Sequence, residues 1–462
     1  MTRSTARLHR LLACSLLPTA VLGACGGPPP AGAPDMSRVY EGLADPFPRV
    51  DRTTLAGFRI LIDPGHGGVF RGTVGQDSLE EARVNLGVSL HLWGLLREAG
   101  ADVHLTRSAD RDFLTEADSA LASDLQVRVD AVDSLQPDLF VSIHHNAQPA
   151  RDPSYNRIET YYNAGDPASL DLAFAIHRHL VRNLGIGVGE VRQGNYYVLR
   201  NVSVPAVLGE SSYLTHPPVE EKLRLSRAQE LEAEAYFLGI VDYCRRGIPR
   251  VALVGPADSI LAEVPTLTYA FEDRGGLGID PDGVSLLVNG EPARAHLSHD
   301  GRRASYRLPW DTPNGAYDVA VSARNLGGNT SPVARARFTL SHPPAMAAIT
   351  TEPPALPRDG GVLRVRARVL DRRGLPVADG TPVSLSSPAL GAHNGVVSAR
   401  VAGGSADFDL VVPRGVTRDA ALALTCGART FESRVPAGRA GATAWRSLVV
   451  RDAQSDAPVG DA

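Results

Sequence analysis

Cysteine is scarce in this chain: there are four in 462 residues. They are too widely spaced for a disulfide framework or a cluster of zinc-binding thiolates. The net charge of -4 gives no basic excess of the kind that a nucleic-acid partner attracts. Long apolar runs are also lacking, because the run near the N terminus is short and interrupted by Pro18. The remaining composition, 43% apolar and 21% charged, is that of a globular protein long enough for about two to four domains.

The first 25 residues have the pattern of an export signal. Three arginines precede the run LLACSLLPTAVLGAC, which ends in small residues. Its last four residues resemble a bacterial lipobox, and that resemblance implies that Cys25 is lipidated; the alternative is an ordinary cleavage site that a cysteine happens to follow. A Gly/Pro-rich stretch, GGPPPAGAPD, comes next, so we assign 1–25 to a lipoprotein signal peptide and 26–56 to a tether. Because Gly26 follows Cys25, we expect a periplasmic, cell-envelope protein anchored to the outer membrane.

Residues 57–247 alternate apolar runs with helical periodicity. This order predicts an α/β domain with a largely parallel sheet flanked by helices. The predicted strands are 58–63, 102–106, 139–144, 158–162 and 205–210. The predicted helices are 79–99, 167–183 and 218–246, each followed within two residues by a glycine.

Four chemically competent side chains lie at the carboxyl ends of these strands, where open α/β sheets bind ligands. His66 follows the first strand in RILIDPGHGGVF, His144 ends the third, and Glu210 ends the last. Glu81 lies in the first turn of the first helix. Two imidazoles and one carboxylate form the usual protein ligand set of a catalytic zinc with an open fourth position, and Glu210 is then a further carboxylate beside it.

Each of these residues also has a purely structural explanation. Ser78 to Glu81 fits a capping box, in which Glu81 would only bond the Ser78 amide. His144 precedes His145, and adjacent residues of a strand point to opposite faces, so at most one of them can face the site. Glu210 would be a surface residue at a strand end.

Six motifs in this region occur in an order that resembles the zinc-dependent N-acetylmuramoyl-L-alanine amidases of the Amidase_3 type, over about residues 57–247. They are DPGHGG at 63–68, E-x-x-x-N-L at 81–86, LTRSAD at 105–110, VSIHHNA at 141–147, ETYY at 159–162 and VLRNVSVPAVLGESSYLTH at 198–216. The resemblance implies that His66, Glu81 and His144 bind Zn²⁺ and that Glu210 is the catalytic carboxylate. It implies hydrolysis of the amide between N-acetylmuramic acid and L-alanine in peptidoglycan.

The resemblance carries three further expectations. Arg107 and Asp110 match a family pattern that we interpret as a structural ion pair. Only ten residues separate Ala147 from Ile158, too few for the blocking helix that some division amidases carry there, so we expect no autoinhibition of that kind. Residues 157–158 and 211–213 depart from the family pattern, so the substrate preference stays open. The identity of any activator protein is open as well.

After residue 250 the chain is rich in short strands separated by turn residues. This pattern predicts two all-β sandwiches, at 250–342 and 345–437, that look like bacterial immunoglobulin-like modules, the second similar to invasin-type repeats. In LRVRARV, at 363–369, the arginines alternate with apolar residues, which indicates a solvated outer face or a basic strip for anionic polymer. The tail, 438–462, resembles the start of a further β module with nothing to pair against.

Three functions fit these observations. The first is a peptidoglycan amidase that uses zinc. The second is an envelope adhesin whose amidase-like domain is inactive, which would require a broken ligand set, and the third is another zinc peptidase of the cell wall. The presence of all four key residues and the order of the motifs favour the amidase.

Overall fold

The computed structural model describes residues 38–438 except 49, 116–119, 149–154, 257–258 and 391–394, together with the backbone of 451–452. The predicted signal peptide, Cys25, tether residues 26–37 and most of the tail lie outside these residues. So does most of the short connection for which we expect no blocking helix. Within the described part, no helix has both the length and the apolar character needed to cross a membrane.

The α/β domain is built on a sheet of six described strands in the order β2-β1-β3-β6-β4-β5. The strands are β1 (Arg59–Pro64), β2 (Asp102–Leu105), β3 (Leu139–Asn146), β4 (Ile158–Tyr162), β5 (Gly189–Gln193) and β6 (Ala206–Tyr213). β2, β1, β3 and β6 are parallel, whereas β4 is antiparallel to β6 and parallel to β5. The largely parallel sheet is therefore confirmed, with one antiparallel pairing at β6.

Helices cover the sheet and bury a core of aliphatic and aromatic side chains. They are α1 (Glu81–Glu98), α2 (Leu121–Leu135), α3 (Pro167–Asn183), α4 (Tyr197–Arg200), α5 (Pro217–Leu223) and α6 (Ser226–Arg245). The sequence analysis missed α2, α4 and β5. β5 is GEVRQ, with one apolar side chain, and α4 is a single turn. α2 had a signal, since Leu121, Leu125, Val129 and Val132 follow helical spacing. The predicted helix 218–246 is divided into α5 and α6, because the chain leaves helical geometry at Leu225 (ψ 130°).

The segment 38–56, which we assigned to the tether, packs against the α/β domain. Val39 and Tyr40 are buried, and the Tyr40 amide donates to the carbonyl of Leu184. Phe47 stacks on Phe237 with ring centroids 5.3 Å apart. The tether prediction is therefore wrong for these residues, because their apolar side chains complete the core instead of remaining in solvent.

The region after the α/β domain forms two units, each with two β-sheets that enclose a separate core. The first unit contains β7 (Ile248–Gly255), β8 (Ile260–Leu261), β9 (Thr266–Arg274), β10 (Ile279–Val288), β11 (Glu291–Ala293), β12 (His296–Leu297), β13 (Arg303–Arg307), β14 (Gly315–Asn325) and β15 (Ala334–Leu340). The second contains β16 (Pro344–Glu352), β17 (Gly361–Asp371), β18 (Pro382–Ser386), β19 (Val396–Arg400), β20 (Ser405–Val412), β21 (Ala420–Cys426), β22 (Arg429–Val435) and β23 (Arg451–Asp452). Among the described strands of these units, β8 and β15 pair in parallel and the other pairs are antiparallel. The immunoglobulin-like assignment and the domain limits stay predictions.

Two expectations about the second unit have structural outcomes. The apolar residues of LRVRARV are buried and its arginines are exposed, as the alternation predicts. Arg366 forms an ion pair with Asp407 at 2.7 Å, and Arg364 lies opposite Asp409 on β20, so acidic neighbours balance part of the strip. The expectation that the tail has nothing to pair against is wrong, because β23 pairs with β22 of the same unit.

Hydrogen bonds join the first β unit to the end of α6. Buried Asn325 and Asn329 donate from their side-chain amides to the carbonyls of Arg246, Tyr243 and Gly247. The last carbonyls of a helix have no partner within the helix, so side chains of the β unit satisfy the end of α6. The two regions are thus connected by specific buried contacts as well as by the chain.

Candidate active site

The glycine-rich loop after β1 presents His66 at the carboxyl edge of the sheet. His66 itself has a φ of 63°, and Gly67 and Gly68 also have positive φ values. A Cβ atom on Gly67 would lie 2.2 Å from the carbonyl oxygen of Arg111, so only glycine fits the close approach of the two chains there. The loop therefore exposes the imidazole while its own backbone remains tightly held.

Arg107 and Asp110 hold this loop separately. Arg107 donates to the carbonyls of Pro64 and Gly65 at 2.9 Å each, and Asp110 accepts from the amide of Gly68 at 2.9 Å. No ion pair joins the two side chains among the described residues, so the predicted pair is wrong. The sequence could not show that Arg107 and Asp110 would each form hydrogen bonds with the backbone of the loop instead of with each other.

Glu81 brings the two histidines together. Its Oε1 atom lies 3.2 Å from Nε2 of His66 and 3.0 Å from Nδ1 of His144. The candidate ligand atoms of the three residues all lie within 4.8 Å of one another. The structure thus assembles the predicted donor set from the β1 loop, the first turn of α1 and the end of β3.

The capping-box alternative for Glu81 is wrong. The residue that precedes α1 is Glu80, whose side chain makes no capping bond, and the Ser78 amide donates to the carbonyl of Gly75. Glu81 instead accepts from the backbone amide of Thr73 at 2.8 Å, and its exposed fraction is 4%. Its carboxylate faces the histidines.

Charge states at the site suit metal binding. Burial alone would raise the pKa of Glu81, but its contacts with His144 and His66 hold that pKa well below the usual value. Burial lowers the pKa of the His144 imidazole. A deprotonated carboxylate and a neutral imidazole are the forms that ligate a metal.

Glu210 lies on β6 beside His144 of β3 and lines the same cleft of about 240 Å³. It is 8% exposed, so it is not the surface residue of the structural alternative, and its Oε2 atom has no hydrogen-bond partner among the described residues. Burial raises its pKa well above the usual value, and the carboxylates of Glu81 and Glu159 add to the shift. A carboxyl group with a free oxygen therefore adjoins the three donors.

Two supporting residues escaped the sequence analysis. Arg128 on α2 forms a buried ion pair with Asp63 at 2.6 Å and donates to the His66 carbonyl at 3.0 Å. Asp63 belongs to the DPGHGG motif, which was a signal, but the helix that carries Arg128 was not predicted. Arg128 and Asp63 together hold the loop that carries His66 in place.

A His-Glu-His donor set beside a buried, unpaired carboxylate defines a candidate metallohydrolase. Residues 60–242 match the N-acetylmuramoyl-L-alanine amidase family, Amidase_3. The chain is 34% identical over 196 residues to the N-acetylmuramoyl-L-alanine amidase LytC of Bacillus subtilis, an alignment that covers 42% of this chain and 37% of LytC. It is 31% identical over 194 residues to the germination-specific N-acetylmuramoyl-L-alanine amidase of the same organism, covering 41% of this chain and 81% of that protein.

Among solved structures, the N-acetylmuramoyl-L-alanine amidase AmiC2 of Nostoc punctiforme is 31% identical, covers 41% of this chain and 99% of that chain, and has a TM-score of 0.36. The chain belongs to the N-acetylmuramoyl-L-alanine amidase family.

Proposed function

We propose that this protein hydrolyses the amide between N-acetylmuramic acid and L-alanine in peptidoglycan, with Zn²⁺ held by His66, Glu81 and His144. The observation that carries the proposal is the convergence of these three donors within 4.8 Å, beside the unpaired carboxyl group of Glu210. The names of the two Bacillus subtilis relatives support the choice of amide bond.

The donor set fits zinc in particular. Two imidazole nitrogens and one carboxylate oxygen are the usual protein ligands of catalytic zinc, which keeps a fourth position open. Bound there, the metal would polarise the scissile carbonyl and lower the pKa of water to ~7. Gly65, beside His66, leaves room for the His144 imidazole, because a Cβ at that position would lie 2.2 Å from its ring atoms.

Glu210 supplies the proton transfer in this proposal. Its free Oε2 atom takes a proton from the attacking water and then gives it to the departing L-alanine nitrogen, so one residue acts first as a base and then as an acid. Burial raises the pKa of Glu210, so its carboxylate is a stronger base towards the attacking water than that of an exposed glutamate.

Substituting the glutamates and His144 tests these roles. Glu210→Gln keeps the shape of the side chain but cannot accept the proton, so we expect amide cleavage to fall by ~10²- to 10⁴-fold while about one zinc remains bound. His144→Ala and Glu81→Ala each remove a metal ligand, so both should lose zinc and activity. Zinc content and muropeptide release are measured on the same purified variants.

The outcomes are distinct. Loss of zinc in Glu210→Gln would make Glu210 a ligand, and full activity in that variant would remove it from the mechanism. End-group analysis of digested sacculi tests the bond itself: new L-alanine amino termini support the amidase. Other new termini indicate a different zinc peptidase, and no cleavage at all indicates an adhesin with an inactive domain.

The place of action is a second part of the proposal. The lipobox at Cys25 supports a lipid anchor in the cell envelope, where the peptidoglycan substrate is found. The anchor and the export signal lie outside the described residues, so their support comes from the sequence pattern.

A further inference from the structure

A buried hydrogen-bonded chain leads away from Glu81 on the side opposite the cleft. The side-chain amide of Asn85 donates to Oε1 of Glu81 and to the carbonyl of Gly65, both at 3.2 Å. With both of its N–H groups engaged, Asn85 presents its oxygen to His145, whose Nδ1 lies 2.8 Å away. An amide oxygen can only accept, so Nδ1 of His145 carries the proton and donates it.

The other side of the His145 ring is held equally firmly. Its Nε2 atom lies 3.0 Å from Oε2 of Glu232 on α6, and the same oxygen accepts from the Tyr40 hydroxyl at 2.7 Å. The Tyr40 oxygen also lies 3.0 Å from Oγ of Ser212 on β6. His145, Glu232 and Tyr40 are all at least 96% buried, so each contact forms away from water, where an unpaired polar group is costly.

We propose that His145 is a positioning residue for the metal ligand Glu81, acting through Asn85, and that Glu232 and Tyr40 hold its imidazole in register. This inference rests on the proposed zinc site. A carboxylate can rotate about its last torsion. Oε1 of Glu81 lies between the two imidazoles, and the Asn85 amide and the His145 backbone amide, 3.1 Å from Oε1, hold it there.

Tyr40 gives the chain an unexpected anchor. It lies outside residues 60–242, the span that matches the amidase family, and belongs to the segment 38–56. Its φ of 55° is unfavourable for a side chain of this size, yet the residue is 4% exposed and doubly hydrogen bonded. The N-terminal segment thus takes part in arranging the metal ligands.

Two substitutions of His145 separate positioning from simple packing. In His145→Asn the side-chain amide can occupy the place of Nδ1 and still donate to Asn85, whereas in His145→Gln it reaches the place of Nε2 and contacts Glu232 instead. If His145 acts through Asn85, the zinc dissociation constant rises ~10- to 100-fold in His145→Gln and clearly less in His145→Asn. A packing role would not produce this order, so tighter or equal zinc binding by His145→Gln overturns the inference.

Tyrosine substitutions provide a gentler test in case the His145 variants fail to fold. Tyr40→Phe removes one oxygen from the chain, and we expect it to weaken zinc binding by ~10-fold, the lower end of the effect of outer-sphere partners. Tyr236→Phe is the matched control: it is equally buried, and its hydroxyl lies 2.9 Å from Oγ of Ser211, also on β6, but outside the chain to Glu81.

Zinc affinity is measured by competition with a chromophoric chelator on the full-length protein, with thermal unfolding of the metal-free form alongside. Equal losses of zinc affinity in Tyr40→Phe and Tyr236→Phe would refute the inference. If the wild-type protein binds no zinc, the proposed function itself fails. If it binds zinc and only the ordering of the variants is wrong, the positioning role alone is lost.

Discussion

Asn329→Ala tests whether the first β unit is part of the folded catalytic region. Asn329 is fully buried, and its side-chain amide donates to the carbonyls of Tyr243 at 2.9 Å and Gly247 at 2.7 Å, at the end of α6. Alanine removes both donors. The Tyr243 carbonyl keeps a contact with the amide of Arg246 at 3.2 Å.

The expected loss follows from these contacts. A hydrogen bond contributes about 0.5–1.5 kcal/mol net, and a buried carbonyl left without a donor costs about 1–3 kcal/mol. Two carbonyls are affected and one keeps a partner, and alanine also removes the buried Oδ1 of Asn329, which has no partner among the described residues. We therefore expect the free energy of unfolding to fall by about 1–3 kcal/mol. Amidase activity of the folded variant should stay near the wild-type value, because Asn329 contacts the far end of α6 and not the cleft.

Urea unfolding followed by circular dichroism, with residual activity in the same samples, measures this loss. Asn201→Ala is the control: its amide also donates to a helix carbonyl, that of Tyr197 at 3.0 Å, but the side chain is exposed, so water replaces it at a cost below about 0.5 kcal/mol. If Asn329→Ala costs no more than the control, the β unit does not support α6 and our account of the junction is wrong.

Two further predictions concern other parts of the chain. Cys25→Ala should release a soluble protein into the periplasm or the medium; identical membrane fractionation of mutant and wild type would refute the lipid anchor. Asp371→Asn should destabilise the junction of the two β units at pH 7 by about 3–5 kcal/mol, because buried Asp371 pairs with Arg373 at 2.7 Å. Burial alone would raise the pKa of Asp371, but Arg373 and Asn314 lower it, so its stabilisation is present at neutral pH and disappears as the pH falls below about 4. Calorimetry should show a constant gap between variant and wild type from pH 7 to about pH 4 and a narrowing gap below about pH 4; a gap that stays unchanged below that pH would contradict this.

Much of the site was predictable because the chemistry is concentrated in short motifs. His66, Glu81 and His144 occupy the places that strand ends and a helix start gave them, and Glu210 adjoins them in the same cleft. Residues that act through tertiary contacts were missed. Arg128 supports the loop from a helix that the sequence analysis did not predict, and no local signal shows its partner Asp63, 65 positions away.

The sequence by itself determined the α/β order, the strand ends that carry the donors and the change to β structure after residue 250. Apolar periodicity and glycine placement are local properties of the sequence, and each pattern is compatible with few types of secondary structure. Only the tertiary structure decided the rest. The segment 38–56 became part of the core because Tyr40 finds Glu232 and Ser212 across the fold, and α6 ends on amides supplied by Asn325 and Asn329. Such partners lie tens to hundreds of positions apart in the sequence. A buried polar group bonds to whichever partner the fold places within reach, and the spacing of residues in the sequence does not show which one that is.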